Sequence, residues 1–188
     1  MEEIVLPEEE DKQPQNEFVS SVYEWVEAAV FALICVALVF AFAFRIVGVD
    51  GESMQYTLMD HDRLILTNFM YQPQRGDIVV INRYTKEPLV KRVIAVGGDT
   101  IQITEDERVL LNGRELDEPY LDVTTPQREL KEAVTVPEGH VFVMGDNRHN
   151  SQDSRYNVEG LRFVDVRDIM GKAVFRIWPL DSIGGLYG

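Results

Sequence analysis

One stretch of the chain departs from the alternating pattern of the rest. Residues 28–44, AAVFALICVALVFAFAF, carry no charge, and about 17 residues at 1.5 Å per residue cover roughly 25 Å, the short end of a membrane-spanning helix. Val22, Trp25 and Val26 before it, and Ile46, Val47 and Val49 after it, extend the apolar contact. Arg45 is placed to snorkel to head groups, and Tyr23 and Trp25 stand where interfacial aromatics belong. A cleaved signal peptide starts with a basic region and ends at small residues. Here the leader is acidic and Phe44-Arg45-Ile46 is a poor cleavage site, so the segment reads as a retained anchor. The alternative of a buried core helix is opposed by the uninterrupted uncharged run.

Beyond the anchor the pattern becomes short and β-like. Runs rich in β-branched residues, RLILTNF, DIVVINRY, PLVKRVIAV, TIQIT, RVLLNG, AVTVPEG, HVFVMG, LRFVDV and KAVFRIW, are separated by turn residues. No stretch after the anchor holds a long 3.6-residue period. Asn112-Gly113 is a two-residue hairpin signal, and Gly97-Gly98-Asp99 and Pro137-Glu138-Gly139 read as further turns. The pattern predicts one mainly antiparallel β domain of about 140 residues, enough for a core of its own, tethered by one helix.

Charge divides the chain further. The leader, residues 1–27, sets nine acidic residues against Lys12 alone, within a whole-chain charge of −14. With Pro7 and Pro14 and few apolar residues it is expected to be a disordered tail. The expected organisation is therefore tail 1–27, transmembrane helix 28–47 and β domain 48–188. Lys12 on one side and Arg45 and Arg63 on the other do not orient the anchor by the positive-inside rule. Nothing offers a basic stripe for phosphates, so nucleic acid is not an expected partner. The one cysteine, Cys35, lies within the anchor, which removes intrachain disulfides and thiol catalysis in the β domain. No metal or nucleotide motif is present, and no cofactor is expected.

Three stretches carry candidate chemistry: GESMQYTL at 51–58, LVKRVIAVGGD at 89–99 and MGDNRHNSQDSR at 144–155. Ser53 lies in a loop just after the apolar segment, which puts a candidate nucleophile close to a bilayer. A serine needs a base. His61, between Asp60 and Asp62, and His140, after a Pro-Glu-Gly turn, sit in polar turns; His149, in the asparagine-rich loop, is the best placed histidine. Lys91 is the stronger candidate because it interrupts a strand apolar on both faces, with Leu89, Val93 and Ala95 on its side and Val90, Ile94 and Val96 on the side of Arg92. Burial lowers an amine pKa and makes the neutral form available as a general base. A packed stem with its head in water is the plainer reading of a strand lysine. Similarly, the third stretch is either a polar surface loop or a scaffold in which Asp153 and Arg155 lock the chain and Ser151 holds an amine. Spacing alone does not choose.

In this order, after an N-terminal anchor, the three stretches resemble the boxes of type I signal peptidases of the short Gram-positive kind, membrane-bound serine proteases that remove signal peptides from exported preproteins. GDNRxxSxDSR is the most specific match, S-M-x-x-T-L followed by K-R supports it, and R-G-D-I-V at 75–79 matches a further box; the likeness runs from about residue 47 to 178. The resemblance implies a mainly β catalytic domain of two antiparallel sheets on the outer side of a bacterial cytoplasmic membrane. It implies a single-pass anchor with the N-terminus cytoplasmic, and exported preproteins and the lipid bilayer as partners.

By the same resemblance, Ser53 is the nucleophile, Lys91 the general base and Ser151 the hydroxyl that orients the lysine. Asp153 and Arg155 form a supporting ion pair, with Asp146, Asn147 and Arg148 in the same scaffold. Apolar pockets for Ala-X-Ala sites fall to Val49, Met54, Leu58, Leu64, Leu89 and Val90. Phe175, Ile177, Trp178 and Leu180 are expected to form a membrane-dipping patch or a core strand. Two positions depart from the family pattern. Gly51 stands where one branch has a serine oxyanion donor, and Tyr56 replaces the usual proline, giving up its restraint on φ. A dedicated protease for few substrates and an inactive β module that binds exported chains are the alternatives.

Overall fold

Helix α1 spans Pro14–Ala43 in the computed structural model, which describes residues 14–82 and 88–187. Proline is well suited to a first helical position, where its missing N–H costs nothing. Within α1, Val19–Ala43 is a 25-residue apolar stretch, exposed along its length and long enough to cross a membrane. The chain separates into two units at Phe42/Ala43.

The expected element boundaries shift at both ends of the anchor. The helix begins inside the acidic leader, at Pro14, so residues 14–27 are helical; the disorder expected of residues 1–13 lies outside the described residues. At the other end the expected helix 28–47 is too long. Phe44–Gly48 is a strand, β1, because Ile46 and Val47 pair with the next strand rather than continuing the helix. In sequence this strand is hidden, since its apolar residues run on from the anchor without a break.

In the second unit every expected run contains a strand, and among the described residues three further strands, β1, Arg114–Glu115 and Gly184–Gly185, fall outside those runs. After β1 come β2 (Arg63–Thr67), β3 (Ile78–Ile81), β4 (Leu89–Val96), β5 (Thr100–Ile103), β6 (Val109–Leu111), β7 (Arg114–Glu115), β8 (Val134–Thr135), β9 (His140–Met144), β10 (Val164–Asp165), β11 (Ile169–Trp178) and β12 (Gly184–Gly185). Arg83 and Tyr84, read as the end of a strand run, lie outside the described residues. All pairs are antiparallel. One sheet has the order β1-β2-β11-β3-β4-β9-β10 with β12 on β11, and the other has the order β7-β6-β5-β8. The Asn112-Gly113 turn joins β6 to β7 with positive φ at both residues (52° and 77°), as a type I′ hairpin requires.

The two sheets share a core in which Ile94, Phe142 and Met144 of the large sheet meet Ile101, Ile103 and Val109 of the small one. Strand β4 lies between β3 and β9 with both faces covered, which is the burial its unbroken apolar pattern predicts. The Arg75-Gly76-Asp77 turn leads into β3. Arg75 pairs with Asp99 at the β4–β5 turn, and Asp77 pairs with Lys172 of β11 at 2.6 Å, so this motif ties three parts of the fold together. Phe175, Trp178 and Leu180 are exposed while Ile177 is half-buried, which leaves an apolar surface at the end of β11.

Candidate active site

The central strand carries the first element of the site. Lys91, in the middle of β4, is only 2% exposed, and its Nζ donates hydrogen bonds to Ser53 Oγ at 2.8 Å and to the Val90 carbonyl at 3.0 Å. Burial pulls its pKa down to about 8; the nearby carboxylates of Asp153 and Asp146 oppose that shift, and Arg155 adds to it. Sequence reading placed the amine in a covered strand. The partner, 38 positions earlier in the chain, comes from the tertiary fold.

Ser53 sits in the turn-rich loop between β1 and β2, and the third stretch holds that loop from outside. Asn147 donates through its backbone N–H to the Ser53 carbonyl at 3.0 Å and through Nδ2 to the Glu52 carbonyl at 3.0 Å, while Asn150 reaches the Glu52 carboxylate at 3.3 Å. Two consecutive carbonyls beside the hydroxyl are thereby fixed. His61 and His149 are exposed and His140 binds the Glu138 carbonyl, so no histidine takes the place of Lys91 beside Ser53.

Beneath the loop lies a set of buried ion pairs. Arg155 grips Asp153 bidentately, both at 2.8 Å and both fully enclosed, and Asp153 also accepts from Gly145 N at 3.0 Å. Burial alone would raise the Asp153 pKa, yet the guanidinium and the Gly145 N–H outweigh it and hold the carboxyl below its ordinary value. Arg148, wholly buried, binds the Gly145 carbonyl and the Glu118 carboxylate. Asp146 takes both nitrogens of an Arg92 fork, at 2.9 and 2.6 Å, and that guanidinium lies 3.8 Å from the Tyr120 ring centroid. Sequence reasoning gave no role to Arg92, Glu118 or Tyr120, although Arg92 directly follows Lys91. Their contacts are long-range and leave no local pattern.

Ser151 is buried near this centre, but its Oγ makes no hydrogen bond to Lys91. It has no partner of good hydrogen-bond geometry, while lying close enough to Asp153 to help keep that carboxyl ionised. Gly145 explains how the parts fit. A Cβ there would overlap both the Ser53 carbonyl and Ser151 Oγ, so only glycine allows the two loops to close on β9.

The six residues matched to pocket walls divide. Val49, Met54, Leu58, Leu64 and Val90 gather in one apolar cluster, with Met54, Leu58 and Leu64 fully buried. Leu89 is half-buried and packs with Val79, Ile81 and Val93, because β4 alternates its side chains between faces. Among the described residues, Asp50, Asp60 and the exposed His61 bring ligand-type atoms within 4.8 Å of one another, but Asp60 already accepts from Gly51 N and pairs with His61.

A hydroxyl in contact with an enclosed amine whose pKa is pulled down to about 8 can lose its proton to the neutral form of that amine, so fold and site together have the makings of a serine hydrolase that uses lysine instead of histidine. Comparisons with known proteins carry this further. A family model described as "Signal peptidase, peptidase S26" matches residues 22–178. The chain is 36% identical to signal peptidase I of Bacillus licheniformis over 95% of this chain and 98% of that one. It is 37% identical to signal peptidase I P of Bacillus subtilis subsp. natto over 92% and 97%. A crystal structure of a signal peptidase I from Enterococcus faecalis V583 aligns at 32% identity and a TM-score of 0.46, covering 55% of this chain and 98% of that one. The chain belongs to the signal peptidase family, peptidase S26. It is a membrane-anchored serine endopeptidase that removes signal peptides from exported proteins.

Proposed function

We propose that Ser53 is the nucleophile and Lys91 the general base of this reaction, and that cleavage follows Ala-X-Ala sites. The observation that carries the reading is the 2.8 Å contact between Ser53 Oγ and an amine that is 2% exposed. In its neutral form the Lys91 lone pair accepts the Ser53 proton as Oγ attacks the scissile carbonyl. The resulting ammonium gives a proton to the leaving amine, and water activated by the same amine then hydrolyses the acyl-enzyme. The Ser53 N–H is our choice for one oxyanion donor. Asn147 holds the loop carbonyls, and the Asp153–Arg155 and Asp146–Arg92 pairs stiffen the floor.

Substrate choice follows from the apolar cluster at the loop. Val49 and Val90 keep only slivers of surface, 3% and 6%, and pack with Met54, Leu58 and Leu64 in one apolar cluster; we assign recognition of small side chains to this cluster. The N-terminal leader is assigned to the cytoplasmic side of a bacterial cytoplasmic membrane, the apolar stretch Val19–Ala43 of α1 to the single crossing, and the β domain to the outer side. The exposed Phe175, Trp178 and Leu180 are assigned to lipid contact.

The test is mass spectrometry of products when full-length protein in detergent meets a preprotein with an Ala-X-Ala site. A single cut after the second Ala, absent in Ser53→Ala and Lys91→Ala, is the expected result. Cleavage by either variant at wild-type rate refutes the assignment of that residue.

A further inference from the structure

The loop that carries Ser53 is closed at its base by Val49 N to the Asp62 carbonyl, 2.8 Å, and His61 N to the Val49 carbonyl, 2.9 Å. Its first half is held by Asn147 and Asn150. Its second half is held by one side chain of β11, Arg176. Arg176 Nη1 donates to Asp62 Oδ2 at 3.0 Å and to the Thr57 carbonyl at 3.4 Å, and its Nε donates to the Ser182 carbonyl at 2.8 Å. Asp62 is 1% exposed, and the same Oδ2 accepts from Met59 N at 3.0 Å.

This arrangement reaches Ser53 by a short route. Thr57 precedes Leu58, whose N–H closes a turn onto the Met54 carbonyl at 2.9 Å, and Met54 follows Ser53 directly. A shift of the Thr57 carbonyl is therefore passed to Ser53 through one hydrogen-bonded turn. Tyr56, just before Thr57, is 87% exposed and packs against little. The restraint on this half of the loop comes from the half-buried Arg176 guanidinium, anchored on the enclosed Asp62 carboxylate.

We propose that Arg176, acting through Asp62 and the Thr57 carbonyl, is a positioning residue that sets the place of the Ser53 hydroxyl against Lys91; this rests on Ser53 being the nucleophile. A charge-assisted hydrogen bond to an enclosed carboxylate is stronger than one between neutral groups. The planar fork serves Thr57, Asp62 and Ser182 together, which an ammonium cannot do.

The experiment uses the full chain in detergent, with melting temperature, kcat and KM measured on one Ala-X-Ala preprotein. For folded Arg176→Ala, kcat is expected to fall roughly 10- to 100-fold, with KM changed less than about twofold. Arg176→Lys is expected to recover part of the loss. Tyr56→Pro, which restrains the backbone beside Thr57, is expected to raise kcat in the Arg176→Ala background and to change it less in the wild type. A folded Arg176→Ala with wild-type kcat overturns the proposal. So does a Tyr56→Pro effect that is equal with and without Arg176. Should Arg176→Ala fail to fold, Arg176→Lys with and without Tyr56→Pro carries the same test. Ser53→Ala separates the two readings: cleavage retained there defeats the nucleophile assignment, whereas an inactive Ser53→Ala beside a fully active Arg176→Ala defeats this inference alone.

Discussion

Lys91 Nζ lies 2.8 Å from Ser53 Oγ at the centre of a strand covered on both faces. Because burial brings the amine pKa down to about 8, the fraction able to accept a proton grows through the mildly alkaline range. The kcat/KM of the full-length enzyme is expected to rise with pH and level off above an apparent pKa near 8. A flat profile between pH 6 and 10 would remove the lysine from the base role, since only an uninvolved amine produces no rising limb.

The same burial has a cost in stability, with a sign opposite to that of most ion pairs. The folded-state pKa lies below the ordinary 10.5, so between about 8 and 10.5 the unfolded chain binds more protons and stability rises with pH. Below that window the cost of charging the enclosed amine is fully present, on the order of 3 kcal/mol. Lys91→Met is therefore expected to be inactive yet to melt at higher temperature than wild type at pH 7, with the difference shrinking toward pH 10. Equal melting temperatures across that range would contradict an enclosed, destabilised amine.

Ser151 Oγ is buried without a well-formed hydrogen bond. Ser151→Ala removes an unsatisfied group, so its effect on the melting temperature should be small or favourable. If the hydroxyl binds the Lys91 amine during the reaction, kcat falls by about 100-fold or more and the alkaline limb of the pH profile moves. Unchanged kcat and unchanged pH dependence would leave Ser151 a packing residue.

Gly145 tests the closure of the site. Its missing Cβ is the space occupied by the Ser53 carbonyl and the Ser151 side chain, so Gly145→Ala must push one of the two loops away. Overpacking of this kind costs about 1–3 kcal/mol. The expected outcome is a folded enzyme with cleavage reduced at least as much as by Ser151→Ala, read from initial rates on the same preprotein.

Asp153 and Arg155 form an enclosed pair in which each alone would be an uncompensated charge. Breaking it from one side, as in Asp153→Ala or Arg155→Met, is expected to cost about 3–5 kcal/mol in denaturant unfolding of the full chain in detergent. The double replacement should cost less than the sum. Additive losses would show that the two side chains act separately.

The sequence alone determined what depends on local order. An uncharged apolar run of this length favours a helix able to cross a membrane, alternating β-branched runs favour strands, and Asn-Gly favours a turn. A lysine between apolar neighbours on both sides points to a covered strand, but a packed stem with its head in water fits the same pattern, so Lys91 stood out as a base only together with the GDNRxxSxDSR stretch. The tertiary structure decided what depends on pairing across the chain. Phe44–Gly48 became a strand because β2 was there to receive it, alternation on β4 turned Leu89 to a different core cluster from Val90, and Ser151 came close to the site without bonding the lysine. The grips of Asn147 and Arg176 on the nucleophile loop join residues with no sequence relation. Periodicity records which face of an element is covered; only the folded chain fixes which side chain covers it.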